Sequence, residues 1–259
     1  MNRTIAVFLV ILSGCSGGNR LRYDSPEEAY TKGMEYFDAG KYSRAVEYFQ
    51  GAFDFGRTHA FAADAQFMLA KAQQLQGNYL LAANEYQRFM QLYRSDPRVE
   101  EAEYQNALTF FEQSPKYERD QTATEKSIAQ FQLFIDRYPR SEHVSQADSL
   151  IRVQREKLAH KHYESAKLYE RRELYEAAAM TFVSVFDRYP DTSWGDDALL
   201  GAVKNFIAFA KQSVDRKQDE RYQLAVDNYK TLVEIFPDSP ATNEARRLIE
   251  DNAELAAMN

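Results

Sequence analysis

The sequence predicts an all-α protein built as a solenoid of about five helix-turn-helix repeats plus a C-terminal closing helix. Three observations carry this: a recurring frame of small and aromatic residues, aromatic-proline punctuation, and helix start signals placed ahead of periodic apolar segments. The frame reads Gly, polar residue, Tyr, then Ala three positions on and an aromatic four further. It occurs at Gly40, Tyr42, Ala45 and Phe49 and at Gly77, Tyr79, Ala82 and Tyr86. It returns at Tyr175, Ala178 and Phe182 and at Tyr222, Ala225 and Tyr229, with a weaker copy at Ser127, Phe131 and Phe134. Antiparallel helices approach closely only where a small residue faces the neighbour, and the aromatic one turn on fills the space beside it.

Taken in order, repeat one (25–60) opens at Ser25-Pro26-Glu27-Glu28, an N-cap, a proline at the first helical position and a capping-box glutamate. Repeat two covers 61–97 and repeat three 98–140, closing at Tyr138-Pro139-Arg140-Ser141. Repeat four (141–191) closes at Tyr189-Pro190-Asp191-Thr192, and repeat five (192–238) at Phe236-Pro237-Asp238-Ser239. Proline stops a helix before it, so these motifs end second helices. Ser239-Pro240 starts the closing helix of residues 239–256. The first two frames are 37 residues apart and later ones close to 50. The pattern resembles the tetratricopeptide repeat, a helix pair of about 34 residues that buries its second face by stacking on its neighbours. Residues 113–124 and 211–220, charged and poor in apolar side chains, are expected to be loops between the helices of repeats three and five.

The net charge of -7 argues against nucleic acid as a partner, because that binding relies on clustered Lys and Arg. No glycine-rich phosphate loop, nucleophile elbow or His-Glu-x-x-His motif occurs. The four histidines are His59, His143, His160 and His162, and the last pair points about 200° apart on a helix, unsuited to sharing a metal. Charges such as Glu164, Lys167, Glu170 and Arg171 read as a solvated helical face. The expectation is a binding and scaffolding protein, not an enzyme, with no cofactor and no metal.

The N-terminus fixes the compartment. Asn2 and Arg3 form a basic start, Ile5 to Leu12 an apolar run too short to span a bilayer, and Ser13 and Gly14 a small-residue cleavage site. Leu12-Ser13-Gly14-Cys15 resembles the lipobox of bacterial lipoproteins. That resemblance makes residues 1–14 a signal peptide, the sole cysteine Cys15 the lipid attachment point and residues 15–24 a flexible tether. Several acyl chains on Cys15 would hold the chain durably on a membrane.

Certain first-helix positions of such a repeat line a concave channel. Counting from the frame puts Tyr30, Met34 and Phe37 there in repeat one, Phe67 in repeat two, and Tyr104, Leu108 and Phe111 in repeat three. Repeat four offers Tyr163, Lys167 and Glu170. The N-terminal half of the channel would be aromatic, which suits an extended peptide with apolar or aromatic side chains, and the C-terminal half ionic. Trp194 is expected to pack at a repeat junction.

Lipobox and repeats together resemble the BamD family of lipoproteins of the outer-membrane β-barrel assembly machine. The resemblance is strongest over residues 28–93 and 131–192, including Phe134-Ile135-Asp136-Arg137-Tyr138-Pro139-Arg140-Ser141 and Asp187-Arg188-Tyr189-Pro190-Asp191-Thr192 followed by Asp197-Ala198-Leu199. It implies a lipid-anchored protein on the periplasmic face of the outer membrane. The N-terminal repeats (25–140) would receive the aromatic-ended C-terminal signals of unfolded outer-membrane proteins. The C-terminal repeats and capping helix (141–259) would dock on the POTRA domain of a BamA-like barrel protein, alongside other lipoproteins of the machine. Family members carry a basic residue just before the Asp-Ala-Leu junction where this chain has Asp196. Docking charges are therefore expected at Asp196, Asp197, Arg246 and Arg247. The competing reading is a repeat lipoprotein resembling CpoB that scaffolds cell-wall or division proteins; the short segment before Ser25 leaves no room for the coiled coil usual there.

Overall fold

The computed structural model describes residues 21–256, and among them are eleven α-helices, two 3-10 turns and no strand. The signal peptide, Cys15 and most of the tether lie outside the described residues. The chain divides into two compact units, one ending at Gln76 and the other beginning at Gly77. This boundary falls inside the expected second repeat, whereas the sequence reading divided the repeats at residue 140.

The first unit holds α1 (Pro26–Asp38), α2 (Tyr42–Gly51), a 3-10 turn (Ala52–Phe55) and α3 (Ala62–Leu75). Ser25 caps α1 by accepting the Glu28 N–H at 3.1 Å, with Pro26 in the first turn. The Glu28 carboxylate reaches one residue further back than in a standard capping box and accepts from the Asp24 N–H at 2.8 Å. Gly40, at φ +69°, ends α1: its N–H meets the Phe37 carbonyl and the Lys41 N–H meets Tyr36. The core joins Ala45, Val46 and Phe49 of α2 to Leu69 and Ala72 of α3, with α1 laid against it.

The second unit runs through α4 (Tyr79–Leu92), α5 (Val99–Gln113), α6 (Thr122–Arg137), α7 (Val144–Arg171), α8 (Tyr175–Arg188), α9 (Gly195–Lys211), α10 (Asp215–Ile235) and α11 (Pro240–Glu250). A 3-10 turn (Ala253–Ala256) follows. Each helix from α4 to α10 packs on the next, and α11 closes against α9 and α10. The frame residues Ala82, Ala178 and Ala225 are fully buried, as are Tyr86, Phe131, Phe134 and Phe182. Trp194 packs at the junction of α7 and α9, stacked on His160 at 4.5 Å.

One turn recurs at the end of each second helix. Tyr93, Tyr138, Tyr189 and Phe236 share φ between -119° and -135° and ψ between 50° and 62°. Each carbonyl then accepts the N–H three residues on, from Asp96, Ser141, Thr192 and Ser239. Three of the four precede proline, which excludes the helical region for the residue before it. Asp96, Ser141 and Ser239 also accept the N–H two residues further on, which leads the chain into the next helix.

The expected loop at 113–124 is found as residues 114–121 between α5 and α6. The expected loop at 211–220 is not. Only residues 212–214 interrupt the helices, and α10 starts at Asp215. The polar run is helical, and its polar heads find partners: the Arg221 guanidinium lies 3.8 Å over the Phe209 ring, and buried Gln218 donates to the Ser213 carbonyl at 3.1 Å.

Candidate binding surfaces

In the first unit, α1 presents Tyr30, Met34 and Phe37 at spacings of four and three, a single stripe. All three are half-buried against the α2–α3 core, so part of each ring or thioether remains open. The Tyr30 ring lies 5.9 Å from Phe49 and 5.7 Å from Phe61, and Phe37 meets Tyr42 edge-on at 5.5 Å. Phe67 differs: at 8 % exposure it belongs to the interior of α3 and is not free to line a channel.

Tyr104 on α5 is also interior, at 2 % exposure. It is enclosed by Phe131 at 5.9 Å, Phe134 at 5.5 Å and a parallel His143 ring at 4.3 Å. Burial, and then the Glu101 carboxylate, push its phenol above the ordinary range. The sequence count missed this because His143, which covers the ring, comes from the turn before α7. His143 is held there by Glu101, whose carboxylate lies 2.9 Å from Nε2. Phe111 and Leu108 stay half-buried beside the same cluster and keep some accessible surface.

On α7, Tyr163 is wedged between Phe182 at 5.2 Å and Trp194 at 4.9 Å. Burial, followed by the carboxylates of Asp197 and Glu170, pushes its pKa up to about 12. Lys167 pairs with Glu170, which also accepts from Asn205 of α9 at 3.0 Å, so this ionic group ties two first helices together. Sequence reasoning overlooked a further set on α7. Lys157 donates to Ser114 Oγ at 2.6 Å, and Lys161 donates to the carbonyls of Tyr117 at 3.0 Å and Arg119 at 2.8 Å. Tyr117 also packs on His160 at 4.0 Å. The 114–121 loop is therefore strapped onto α7. The only hint in the sequence was the paired lysines one turn apart.

The expected docking charges divide in two. Asp196 accepts from Ser239 Oγ at 2.6 Å, which joins the start of α9 to the cap of α11 and gives it a structural task. Asp197 is exposed, yet partial desolvation and then neighbouring Asp196 raise its pKa. Arg246 and Arg247 are exposed on α11, and Arg246 Nε donates to Tyr229 at 3.3 Å. Lys204 of α9 bridges to Glu244 of α11 at 2.6 Å, a second link between those helices.

Among the described residues no group of three metal-ligating side chains is assembled, and no helix is long and apolar enough to cross a membrane. The chain is 29 % identical to the outer membrane protein assembly factor BamD of Caulobacter vibrioides, over 96 % of this chain and 81 % of that protein. The factors of the same name from Haemophilus influenzae and Pasteurella multocida are 24 % and 22 % identical, over 73 % and 75 % of this chain and 76 % and 79 % of theirs. A solved tetratricopeptide-repeat protein from Bacteroides fragilis aligns with a TM-score of 0.49 at 14 % identity, over 91 % of this chain and 96 % of that one. The family model described as YfiO, outer membrane lipoprotein, matches residues 22–220, most of the chain: it belongs to the YfiO family of outer membrane lipoproteins.

Proposed function

We propose that this protein is a lipid-anchored subunit of the outer-membrane β-barrel assembly machine, held at the periplasmic face through Cys15. In this role it binds the C-terminal signals of unfolded barrel proteins and docks on a BamA-like partner with POTRA domains, and it performs no covalent chemistry. The observation that carries the reading is the family match across residues 22–220, together with relatives named as assembly factors. The half-buried stripe Tyr30, Met34 and Phe37 on α1 supports the client role, because partly exposed rings on one helix face suit an aromatic-ended strand. Exposed Asp197, Arg246 and Arg247 support docking through α9 and α11, while Asp196 is set aside as a joint between those helices. The same family match weighs against the cell-wall or division scaffold.

Titration of the purified chain with a fluorescent peptide from the C-terminus of a barrel protein, against the same peptide with its terminal aromatic replaced by glycine, tests the client role. The reading expects saturable binding of the first, weakened at least about tenfold for the second and for Phe37→Ala, a difference of about 1.4 kcal/mol. Equal affinities for both peptides would refute it.

A further inference from the structure

Between α4 and α6, with α5 as its floor, lies a groove of about 320 Å³ that uses none of the residues assigned above. Its two walls repeat one pattern. Met90 on α4 and Arg94 in the turn just after that helix line one side, and Leu133 and Arg137, four residues apart on α6, line the other. Each wall therefore offers an apolar side chain and a guanidinium. Leu133 is 41 % exposed, an open apolar position on the groove wall.

The floor has a specific polarity. Glu103 is 3 % exposed, and both of its oxygens accept from Arg137 Nη1, at 2.8 and 2.6 Å. The one acid in the groove is thus neutralised, while Arg137, whose side chain is 53 % exposed, still has donors facing water. Arg94 is exposed and donates to the Gln91 carbonyl at 3.3 Å, so its charge is not matched by that bond. Asn106, 1 % exposed, donates to Gln130 Oε1 at 3.3 Å, but its own Oδ1 is buried with no hydrogen-bond partner.

We propose that this groove binds an extended peptide segment of a partner protein carrying a carboxylate beside an aliphatic residue. The aliphatic side chain lies between Met90 and Leu133, and the carboxylate sits between Arg94 and the outward donors of Arg137. Charge complementarity selects this occupant: with Glu103 already paired, the charges the groove still offers are the Arg94 and Arg137 guanidiniums, so basic peptides are repelled.

The test is selection of random linear peptides from a display library on the purified full-length chain, followed by affinity measurements with the enriched peptides. The expected consensus is an acidic residue within two positions of Leu, Ile or Val. Leu133→Arg and Arg94→Glu should each weaken binding at least about tenfold, and Met180→Arg, at an open site on α8, should leave it unchanged. Met90→Lys reads the facing wall should Leu133→Arg lose helicity. Enriched peptides without an acidic residue, or affinities indifferent to these wall substitutions in folded protein, would overturn the proposal. So would a failure to enrich any peptide that the native chain binds and Leu133→Arg does not.

Discussion

Replacing Gly201 by alanine puts the packing rule of the repeats to a quantitative test. Gly201 is buried in α9, and a Cβ there would lie 2.8 Å from two ring carbons of Phe182 and 2.9 Å from a third. Ordinary carbon contacts lie near 3.5–4.0 Å, so the ring must retreat by well over half an ångström. Phe182 is fully buried among residues such as Leu199 and Val203 and has little room to do so. Two effects compete. Alanine favours a helix over glycine by about 1 kcal/mol. Overpacking a dense core costs about 1–3 kcal/mol, and a clash with three atoms of a fixed ring belongs toward the upper end of that range. A net loss of about 1–2 kcal/mol is expected, against the gain that helix propensity alone would give. Urea unfolding followed by circular dichroism measures it as a lower midpoint at unchanged slope. Phe182→Leu creates space, so the double variant should be less destabilised than the sum of the single ones by about 1 kcal/mol. A higher midpoint for Gly201→Ala, or simple additivity in the double variant, would refute the idea that this ring requires a bare backbone opposite it.

Other perturbations read other parts of the structure. Glu173 has φ +58° and occupies the place in its turn that Gly40 and Gly77 hold in theirs, so Glu173→Gly should relieve left-handed strain and raise stability by about 0.5–1 kcal/mol; a lower urea midpoint would contradict this. His162 has its pKa lowered from the ordinary 6.5 by burial first and then by Arg188, whose Nη1 lies 3.2 Å from its Nε2. The unfolded chain therefore takes up the proton first, and stability should be full above about pH 6.5 and decline below it; His162→Gln should flatten that slope, and an unchanged pH profile would exclude His162 as its source. Cys15→Ser should move the protein from the membrane to the soluble envelope fraction, and continued retention would show that lipid is not the main anchor.

The fold was largely readable from the sequence because its determinants are local. Ala45 to Phe49, Ala82 to Tyr86 and Ala178 to Phe182 sit one helical turn apart, and all six are buried as that spacing implies. The turn at Tyr93 escaped notice because Arg94 stands where the other copies have proline, although Asp96 does the work of Ser141 and Ser239. The first turns of α10 were misread for a related reason. A helix start held by the guanidinium of Arg221 and the amide of Gln218 has no apolar period to reveal it. Surface positions were less readable still. Adjacent faces of a helix differ by a single residue step, and whether Phe67 or Tyr104 meets solvent depends on what packs over it; for Tyr104 that is His143, far away along the chain. The ties from Lys157 and Lys161 to the 114–121 loop are likewise long-range and leave no local trace.

Affinity purification of the tagged full-length protein from gently solubilised envelopes, with mass spectrometry of what co-purifies, tests the central claim most directly. The account predicts a stoichiometric partner with POTRA domains and a membrane barrel, retained by the native chain and weakened by the double charge reversal Arg246→Glu and Arg247→Glu. Recovery of cell-wall synthases or division proteins, with no such barrel, would contradict it.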